Sequence, residues 1–546
     1  MTFSLLTPHI IKQITQCLSL GKEQQMEAFS YDVTQYDSHP YAQSHPELMY
    51  TMGKLFGLNP AHFKNSRVLE LGCAAGGNIL PLAYNFRESK FVGIDLSAKQ
   101  IEQGIEQIRD LGLSNIQLLH KSIMEIDNTY GKFDYIICHG VFSWVPPEVQ
   151  NKILAICKEN LTPNGIAYIS YNTLPGWNMV KSIRELMLYH CQGFDTHQKK
   201  VEQARLILKF MVDSLEGQNN PYALFLKSEL ELLSKQGDYY LLHEHLEHEN
   251  NPMYFHEFMS KVTQHELSYL SDTQLSSMFA HNLPEKVSSQ ISQITDIVRL
   301  NQYMDFIRNQ RFRCTLLCHQ GVAINRSLKP EDVENFYFSY LGTIRSDITD
   351  KDLEEGIPLQ FTGNAITLSL KNRISKIAMK IIHDRCRKPI GFEKLVALVK
   401  DQTGEQDENK IKQFLHFDLG LMRLALAGLI QLHSTSGPYT HQKTQNPKAT
   451  KLAQYQSKKK SLVTNQRHEV VALNVVESKL LNYCDGTKNV GKILEKMNEH
   501  FMQGELKILK ETGEEITRIE DIQMQAEILC KNLLKNMANN ALLVAD

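Results

Sequence analysis

The chain has 546 residues, of which 42% are apolar and 22% are charged, as in soluble globular proteins. This length exceeds what one hydrophobic core supports, so we expect several domains. The formal net charge of −2 excludes a strong overall attraction to nucleic acid or to an anionic membrane.

The sequence shows no pattern typical of a secreted or membrane protein. The first twenty residues have no uninterrupted apolar core of the kind found in signal peptides. The most apolar run, residues 419–432, is too short to span a bilayer and contains Arg423, so it predicts a buried helix. We therefore expect a cytoplasmic protein without integral membrane contact.

Strands and helices alternate between residues 66 and 172. Strand-like runs occur at RVLELG, KFVGIDL, NIQLLH, FDYIICH and IAYISYN, with helical segments between them. This alternation predicts an α/β domain with a doubly wound, Rossmann-like parallel sheet. Residues 178–236 are helical in pattern, and YYLLHEHL and ELSYL then predict two closing strands. We therefore expect a seven-stranded domain at 46–275 with a helical insertion at 178–236, preceded by a separate segment at 1–45.

The pattern after residue 275 predicts smaller, mainly helical units. Residues 276–433 contain several helical segments and a short strand, ITLSLKN. Residues 434–466 have no Asp or Glu but six Lys and two Pro, which predicts a linker. A last helical unit is expected at 467–546. Helices beside short strands suggest winged-helix-like domains, but neither unit has the dense basic face that binds nucleic acid.

A glycine-containing turn follows the first predicted strand, in VLELGCAAGGN at residues 68–78. Gly72, Ala74 and Gly77 nearly satisfy the dinucleotide pattern G-x-G/A-x-x-G. Three interpretations are open: a dinucleotide site, a site for the methyl donor S-adenosylmethionine (SAM), or a tight strand–helix turn without a ligand.

Two carboxylates at strand ends favour SAM. Glu70 immediately precedes the turn, where it would repel a pyrophosphate but attract the ammonium and sulfonium groups of SAM. Asp95 ends the second strand and can accept both ribose hydroxyls, which SAM and NAD share. The helix that starts near Asn78 can bind the carboxylate of SAM through its free N–H groups. Ile123 can lie against adenine, whereas a turn without a ligand leaves both carboxylates unexplained.

The motifs VLELGCAAGGN and LTPNG, with Asp95 between them, resemble those of class I SAM-dependent methyltransferases. The sequence departs from that family at Ala74, where glycine is usual, and at Ser122, where many members have an acidic residue. The resemblance implies a Rossmann-like methyltransferase fold and a SAM cofactor without a metal. The residues expected at the cofactor are Tyr36, Glu70, Gly72, Cys73, Ala74, Gly76, Asn78, Asp95, Leu96, Ser122, Ile123, His139 and Gly140.

A longer stretch, HGVFSWVPPEVQNKILAICKENLTPNGIAYISYNTLPGW, is similar to bacterial methyltransferases that carry a regulatory domain. YLLHEHLE and QYMDFIRNQRFR extend this similarity to residue 313, and VTNQRHEVVALN and CDGTK extend it more loosely to the C-terminal unit. The family includes rickettsial protein-lysine methyltransferases that modify an outer-membrane surface protein. The resemblance therefore implies methyl transfer to lysine side chains of a protein substrate, such as a bacterial surface protein.

Methyl transfer to an amine requires a neutral nitrogen, its alignment with the methyl group, and a site from which water is excluded. Aromatic residues near the ends of the fourth and fifth strands are expected to line such a channel, with His139 as the candidate general base. The residues expected at the catalytic site are His139, Trp144, Tyr171, Asn172 and Trp177. The alternatives are that the tryptophans only anchor loops and that His139 only forms hydrogen bonds.

Two further segments are rich in histidine or tyrosine. YDVTQYDSHPYAQSHP, before the sheet, either folds over the cofactor as a lid, with Tyr31 and Tyr36 as candidates, or caps the sheet. His243, His245 and His248 share no single face in a strand or in a helix, so no metal site is expected.

Two other functions stay open from the residues alone. The chain could be a small-molecule methyltransferase with regulatory C-terminal domains, or a SAM-binding protein without catalytic activity. The large extra domains favour a polypeptide acceptor, because small-molecule methyltransferases rarely need them. The sequence leaves open the identity of the acceptor, the number of methyl groups added and the oligomeric state, with a dimer among the options.

Overall fold

A computed structural model describes residues 38–247, 249–343, 348–363, 366–440, 444–508, 516 and 518–545. Its largest element is a seven-stranded mixed sheet. The strands are β1 (Arg67–Leu71), β2 (Lys90–Asp95), β3 (Ile116–His120), β4 (Phe133–Cys138), β5 (Leu161–Asn172), β6 (Leu267–Asp272) and β7 (Phe312–His319). Their order is β3-β2-β1-β4-β5-β7-β6, with β1 to β5 parallel and β7 antiparallel to both of its neighbours. The predicted doubly wound α/β fold is therefore confirmed.

Helices accompany this sheet along the first part of the chain. They are α1 (Pro46–Leu55), α2 (Ile79–Asn85), α3 (Ala98–Asp110), α4 (Pro147–Asn160), α5 (Gly176–Cys191), α6 (His197–Ser214), α7 (Pro221–Ser234), α8 (Asp238–Leu241), α9 (Phe255–Gln264), α10 (Leu275–Met278), α11 (Glu285–Ile291) and α12 (Ile297–Arg308). Because both faces of the sheet are covered, its central strands are continuous apolar runs, as in β4, where residues 135–138 are all fully buried. The strand order reverses between β1 and β4, which is where open α/β sheets bind ligands.

The strands that close the sheet differ in part from the prediction. ELSYL forms β6 as expected, but YYLLHEHL forms α8 and a π-helical turn, Leu242–Leu246, instead of a strand. The other closing strand is β7, which pairs between β5 and β6 and lies beyond the boundary expected at residue 275. Its run FRCTLLCH is interrupted by arginine and threonine, so its apolar character is weak in the sequence. The sheet domain extends to His319.

The predicted helical insertion is present as α5, α6 and α7. Their apolar faces meet in a separate small core that includes Met187, Leu208 and Leu226. The chain then returns to the sheet through α8 and the π-helical turn. The insertion thus has its own small core. It adjoins the sheet domain at the edge where the parallel strands end.

The middle unit combines short strands with helices. Its elements are β8 (Tyr337–Tyr340), β9 (Leu359–Thr362), β10 (Thr367–Leu370), α13 (Arg373–Asp384), β11 (Ile390–Gly391), α14 (Phe392–Thr403), α15 (Glu408–Gln413), α16 (Leu421–Leu426) and β12 (Ile430–His433). ITLSLKN forms β10 as predicted. The run 419–432 is largely buried, but it is not one helix: Gly428, with a φ of 76°, follows α16 and the chain continues as β12.

The C-terminal unit begins earlier than predicted. Its elements are α17 (Lys451–Lys459), β13 (Leu462–Thr464), β14 (Val470–Ala472), α18 (Val475–Tyr483), α19 (Val490–Met502) and α20 (Ile519–Asn539). The prediction of a linker over 434–466 is wrong for its second half, because Leu452, Ala453 and Val463 are buried. Lys458 and Lys459 lie in the last turn of α17, which is an amphipathic helix despite its charged composition.

The longest described helix, α20, is amphipathic rather than uniformly apolar. Cys530 and Leu534 are buried, whereas Met524 and Ile528 are exposed. Across the described ranges, no helix is both long enough and apolar enough to cross a membrane.

Candidate active site

A cavity of about 390 Å³ lies beyond the carboxyl ends of β1, β2 and β4. Two larger cavities, of about 720 and 710 Å³, lie between domains, but only the 390 Å³ cavity is lined by Glu70 and Asp95. The predicted cofactor residues that line it are Glu70, Gly72, Cys73, Ala74, Asn78, Asp95, Leu96, Ser122, Ile123, His139 and Gly140. Gly76 belongs to the turn but does not line the cavity, and Tyr36 lies outside the described residues.

The turn after β1 depends on residues without bulky side chains. Gly72 has a φ of 76°, and a Cβ there would lie 2.4 Å from Cγ2 of Val141. Ala74, where the family usually has glycine, also has a left-handed φ of 49°. The backbone N–H groups of Gly72 and Cys73 donate to the carbonyl of Ile94 at 2.8 and 3.0 Å. The turn is therefore fixed against β2, with its backbone open to the cavity.

Glu70 is a buried carboxylate with one oxygen unpaired. Its Oε1 accepts a hydrogen bond from Nδ2 of Asn78 at 2.7 Å, but Oε2 is buried and has no hydrogen-bond partner in the described chain. Burial, reinforced by the negative charge of Asp95, raises the pKa of Glu70 to about 8. A cationic group in the cavity would supply the missing partner and favour the ionised form.

Asp95 links the turn to the next strand. Its Oδ2 accepts the N–H of Ala74 and its Oδ1 accepts the N–H of Ser97, both at 2.8 Å. A carboxylate accepts hydrogen bonds through both of its oxygens, as binding to a diol such as ribose requires. Leu96, beside it, is an apolar side chain that is 49% exposed and lines the cavity.

Ser122 and Ile123 form the wall after β3. Ser122 caps a short 3-10 turn: its hydroxyl accepts the N–H of Met124 at 3.2 Å, and its own N–H donates to Glu125 at 2.7 Å. The serine hydroxyl retains a proton that it can donate to a ligand. The aliphatic side chain of Ile123 gives this wall an apolar surface next to it.

His139 is held by aromatic rings at the end of β4. Its ring lies 3.8 Å from that of Tyr41, centroid to centroid, and its Nδ1 lies 2.8 Å from the hydroxyl of Tyr168. Tyr168 donates its own proton to Sγ of Cys314, so Nδ1 of His139 is the donor in this contact. Burial lowers the pKa of His139 to about 3, which makes it a weak proton acceptor. The geometry favours the hydrogen-bonding alternative over the general-base alternative.

The predicted catalytic aromatics separate into two groups. Trp144 is half-buried and lines the cavity, together with the apolar residues Val145, Pro146 and Val149. Trp177 does not line it: it is 6% exposed and its ring stands at 80° to that of Trp144, 6.1 Å away. Trp177 therefore supports the cavity wall from behind.

Tyr171 and Asn172 do not reach the cavity. Tyr171 is buried against Phe258, with ring centroids 4.1 Å apart, and its hydroxyl lies 3.3 Å from Oγ1 of Thr315. Asn172 donates through Nδ2 to Asn250 at 3.2 Å. Neither of these two predicted catalytic residues is among those that line the cavity.

Two residues of β5 that are two positions apart, Tyr168 and Ser170, support the site. Tyr168 contacts His139, and Oγ of Ser170 accepts the N–H of Gly140 at 2.8 Å. Because side chains alternate between the faces of a strand, Tyr171 points away from these two. This period of two in IAYISYN is the signal that could have identified them from the sequence.

The segment before α1 forms part of the cavity wall. Ser38, His39 and Tyr41 line the cavity, and Oγ of Ser38 accepts the N–H of Gly77 at 2.7 Å. This arrangement supports the lid interpretation for residues 38–41. The lid candidates Tyr31 and Tyr36 lie outside the described residues.

The π-helical turn supplies two residues that the sequence analysis did not place at the site. His243 and Glu244 both line the cavity, and Nδ1 of His243 lies 3.0 Å from Oε1 of Glu247. Burial raises the pKa of Glu244 to about 7, and no hydrogen bond to its carboxylate occurs among the described residues. Single π-helical turns are common at functional sites, but no sequence pattern distinguishes this one from an ordinary helix.

The histidine group gives no metal site in the described part of the chain. No set of three His, Cys, Asp or Glu side chains there has the geometry to hold a metal ion. His243 and His245 are buried, and His248 lies outside the described residues.

Three protein-family models match parts of the chain. Residues 62–244 match a methyltransferase domain, and residues 237–319 match a predicted methyltransferase regulatory domain. Residues 445–542 match the C-terminal winged helix domain of PKMT. The winged-helix interpretation of the C-terminal unit agrees with this match.

Similar proteins cover the whole chain. Uncharacterized protein RP789 of Rickettsia prowazekii is 41% identical over 557 aligned residues, which cover 100% of this chain and 99% of the relative. Two solved structures of PKMT2 from Rickettsia typhi, one of them in complex with AdoHcy, are similar to this chain. Both structures match with a TM-score of 0.85 and 35% identity over 93% of this chain and 100% of PKMT2.

Proposed function

Because the chain belongs to the family of SAM-dependent methyltransferases that includes PKMT2 from Rickettsia typhi, we propose that it methylates lysine side chains of a protein. One observation carries this proposal: a single cavity joins the half-paired carboxylate of Glu70 to an apolar wall that includes Trp144. The carboxylate suits the cationic end of SAM, and the wall suits a neutral amine.

The residues present fit SAM. The unpaired Oε2 of Glu70 is a partner for its ammonium group, and Asp95 is a partner for its ribose hydroxyls. Leu96 and Ile123 offer apolar surfaces for adenine. When bound, SAM supplies a methyl group on a positively charged sulfur. The residues around it align the acceptor and exclude water.

The acceptor side of the cavity favours a deprotonated amine. A lysine side chain has a pKa near 10.4 in water, so it arrives as an ammonium ion without a lone pair. The wall formed by Trp144, Val145 and Pro146 disfavours this charged form by desolvation. His139, with a pKa of about 3, is not suited to remove the proton, whereas the carboxylate of Glu244 is. We therefore assign proton acceptance to Glu244 and positioning to His139.

The additional domains support a protein acceptor. The middle and C-terminal domains follow the sheet domain after residue 319, and the similarity to PKMT2 covers 93% of this chain. A methyl acceptor that is itself a protein offers a surface large enough to contact them. We expect the acceptor protein to bind to the middle and C-terminal domains.

The direct test is incubation with methyl-labelled SAM and fractionated bacterial extract, followed by hydrolysis and amino-acid analysis. We expect label in protein, recovered as methyl-lysine, and much less label with an Asp95→Ala variant, because this substitution weakens cofactor binding. Label only in small molecules would refute the lysine acceptor but not methyl transfer. Binding of SAM without label in any fraction would instead indicate a SAM-binding protein without catalytic activity.

A further inference from the structure

The C-terminal domain (residues 445–545) packs directly against the helices that follow β1 and β2. The backbone N–H of Lys451 donates to the hydroxyl of Tyr84 on α2 at 3.1 Å. On α3, Asp110 accepts a hydrogen bond from the hydroxyl of Tyr455 at 2.8 Å and pairs with Lys459 at 3.3 Å. The domain therefore lies behind the cofactor turn rather than at a distance from it.

One residue of this domain reaches the cavity lining. His468 is 1% exposed, and its Nε2 lies 2.7 Å from Oδ1 of Asn78. Nδ2 of the same Asn78 donates to Oε1 of Glu70 at 2.7 Å. Two hydrogen bonds thus connect the C-terminal domain to the carboxylate that we assign to the ammonium group of SAM.

We infer that the C-terminal domain completes the SAM site, with His468 as a positioning residue that acts on Glu70 through Asn78. An asparagine amide has an accepting oxygen at one end and an NH₂ group at the other, and only the NH₂ end can donate to a carboxylate. Nε2–H of His468 and the backbone N–H of Tyr41, at 2.9 Å, both donate to Oδ1. These two donors turn the NH₂ end toward Glu70. The inference concerns SAM and does not depend on the acceptor.

The turn around His468 holds this side chain inside the protein. His468 has a left-handed φ of 61°, and its N–H donates to the carbonyl of Asn465 at 3.1 Å. Glu469, next in the chain, pairs with Arg387 of the middle domain at 2.7 Å. The bond to Asn78 is the only hydrogen bond of the His468 ring among the described residues, because Nδ1 is buried without a partner. The ring is thus oriented by its contact with the cofactor site.

His468 acts through its hydrogen bond and not through charge. It faces His45, with ring centroids 5.3 Å apart, and burial lowers the pKa of His45 to about 4 and that of His468 well below its usual value. The titratable groups that face Glu70 are Asp95, Cys73 and Cys138, and burial raises the pKa of both thiols. Glu70 is therefore the group whose ionisation the relay is expected to influence near neutral pH.

The experiment measures AdoHcy affinity by calorimetry between pH 6 and 9 for the full-length protein and three variants. His468→Asn tolerates the left-handed backbone but is too short to reach Asn78, whereas His468→Gln places an amide N–H near the position of Nε2. His500→Ala is the matched control: this histidine contacts Tyr483 within the same domain, away from Asn78. Circular dichroism melting compares the folding of all variants.

We expect His468→Asn to weaken AdoHcy binding roughly tenfold, because it removes one buried hydrogen bond from the network that positions Glu70. Because the Asn78 bond favours ionised Glu70, the pH below which affinity declines should also move upward. His468→Gln should restore both the AdoHcy affinity and its wild-type dependence on pH. In a protein that already carries Asn78→Ala, adding His468→Asn should not weaken AdoHcy binding further. The inference is overturned if His468→Asn binds like the wild type, if His500→Ala weakens binding equally, or if glutamine does not rescue. If Glu70→Gln alone leaves affinity unchanged, the assignment of Glu70 fails instead.

Discussion

The carboxylate of Asp95 accepts the backbone N–H of Ala74 at 2.8 Å, so a side chain at the end of β2 fixes the turn that follows β1. The same carboxylate faces the cavity. One residue therefore has two roles, shaping the cofactor turn and presenting oxygens to the cofactor.

Replacing Asp95 by alanine is expected to weaken AdoHcy binding by roughly 10- to 100-fold, since charge-assisted hydrogen bonds and the shape of the turn are lost together. Asp95→Asn, which keeps an accepting oxygen, should have a smaller effect. Isothermal titration calorimetry measures both. Asp213→Ala, which removes an exposed partner of Lys209, is the control and should bind normally. Unchanged affinity in Asp95→Ala would remove Asp95 from the ribose site.

Glu70 is expected to strengthen cofactor binding but to lower the free energy of unfolding of the ligand-free protein at high pH. Its pKa is about 8 in the folded protein, against 4.5 without the effect of burial, so the folded state holds the proton more tightly than the unfolded state. The contribution of Glu70 to the free energy of unfolding is therefore present below about pH 4.5 and is lost as pH rises toward 8.

Glu70→Gln should consequently raise the free energy of unfolding at pH 8.5 by ~1–3 kcal/mol while weakening AdoHcy binding. Urea denaturation at pH 5 and pH 8.5 measures the first effect, and calorimetry measures the second. Glu249→Gln, which changes an exposed carboxylate in the segment after the π-helical turn, should change neither. A Glu70→Gln variant that is less stable than the wild type at pH 8.5 would contradict this account.

The sequence predicts the parts of the site that depend on local pattern and omits those that depend on tertiary contact. Glu70 and Asp95 are recognisable because each ends an apolar strand, and parallel strands share one carboxyl edge. Tyr171 lies on the face of β5 opposite to Tyr168 and Ser170, so the alternation of side chains along the strand decides which of its residues support the site. Glu244 and His468 could not be found in this way. The first depends on a π-helical turn, and the second contacts Asn78 across 390 positions of sequence.

Arg313 on β7 is buried between Asp272 of β6 and Asp305 of α12, and it pairs with both. Its Nη2 lies 2.7 Å from Oδ1 of Asp305. Because removing the arginine leaves two buried carboxylates without a counter-charge, Arg313→Leu should lower the free energy of unfolding by ~3–5 kcal/mol. Chemical denaturation measures this change. The exposed pair of Arg518 and Glu520 offers the control, since Arg518→Leu should have an effect of less than ~0.5 kcal/mol. Equal effects of both substitutions would show that the buried cluster contributes little.

The carboxylate of Glu244 lines the cavity on the π-helical turn, and burial raises its pKa to about 7. A proton acceptor is active only when ionised, so the methylation rate should rise with pH through an inflection near pH 7. Glu244→Gln keeps the shape of the side chain but cannot accept a proton.

We therefore expect Glu244→Gln to reduce kcat roughly 100-fold, to remove the inflection near pH 7 and to leave AdoHcy affinity unchanged. Rates with methyl-labelled SAM and a lysine-bearing acceptor, measured from pH 6 to 9, test this. Glu249→Gln should keep the wild-type profile, because this carboxylate is exposed and does not line the cavity. If Glu244→Gln retains the inflection, the ionisation belongs to another group. In that case, desolvation by the apolar wall around Trp144 is sufficient to deprotonate the acceptor lysine, and Glu244 is not needed as a proton acceptor.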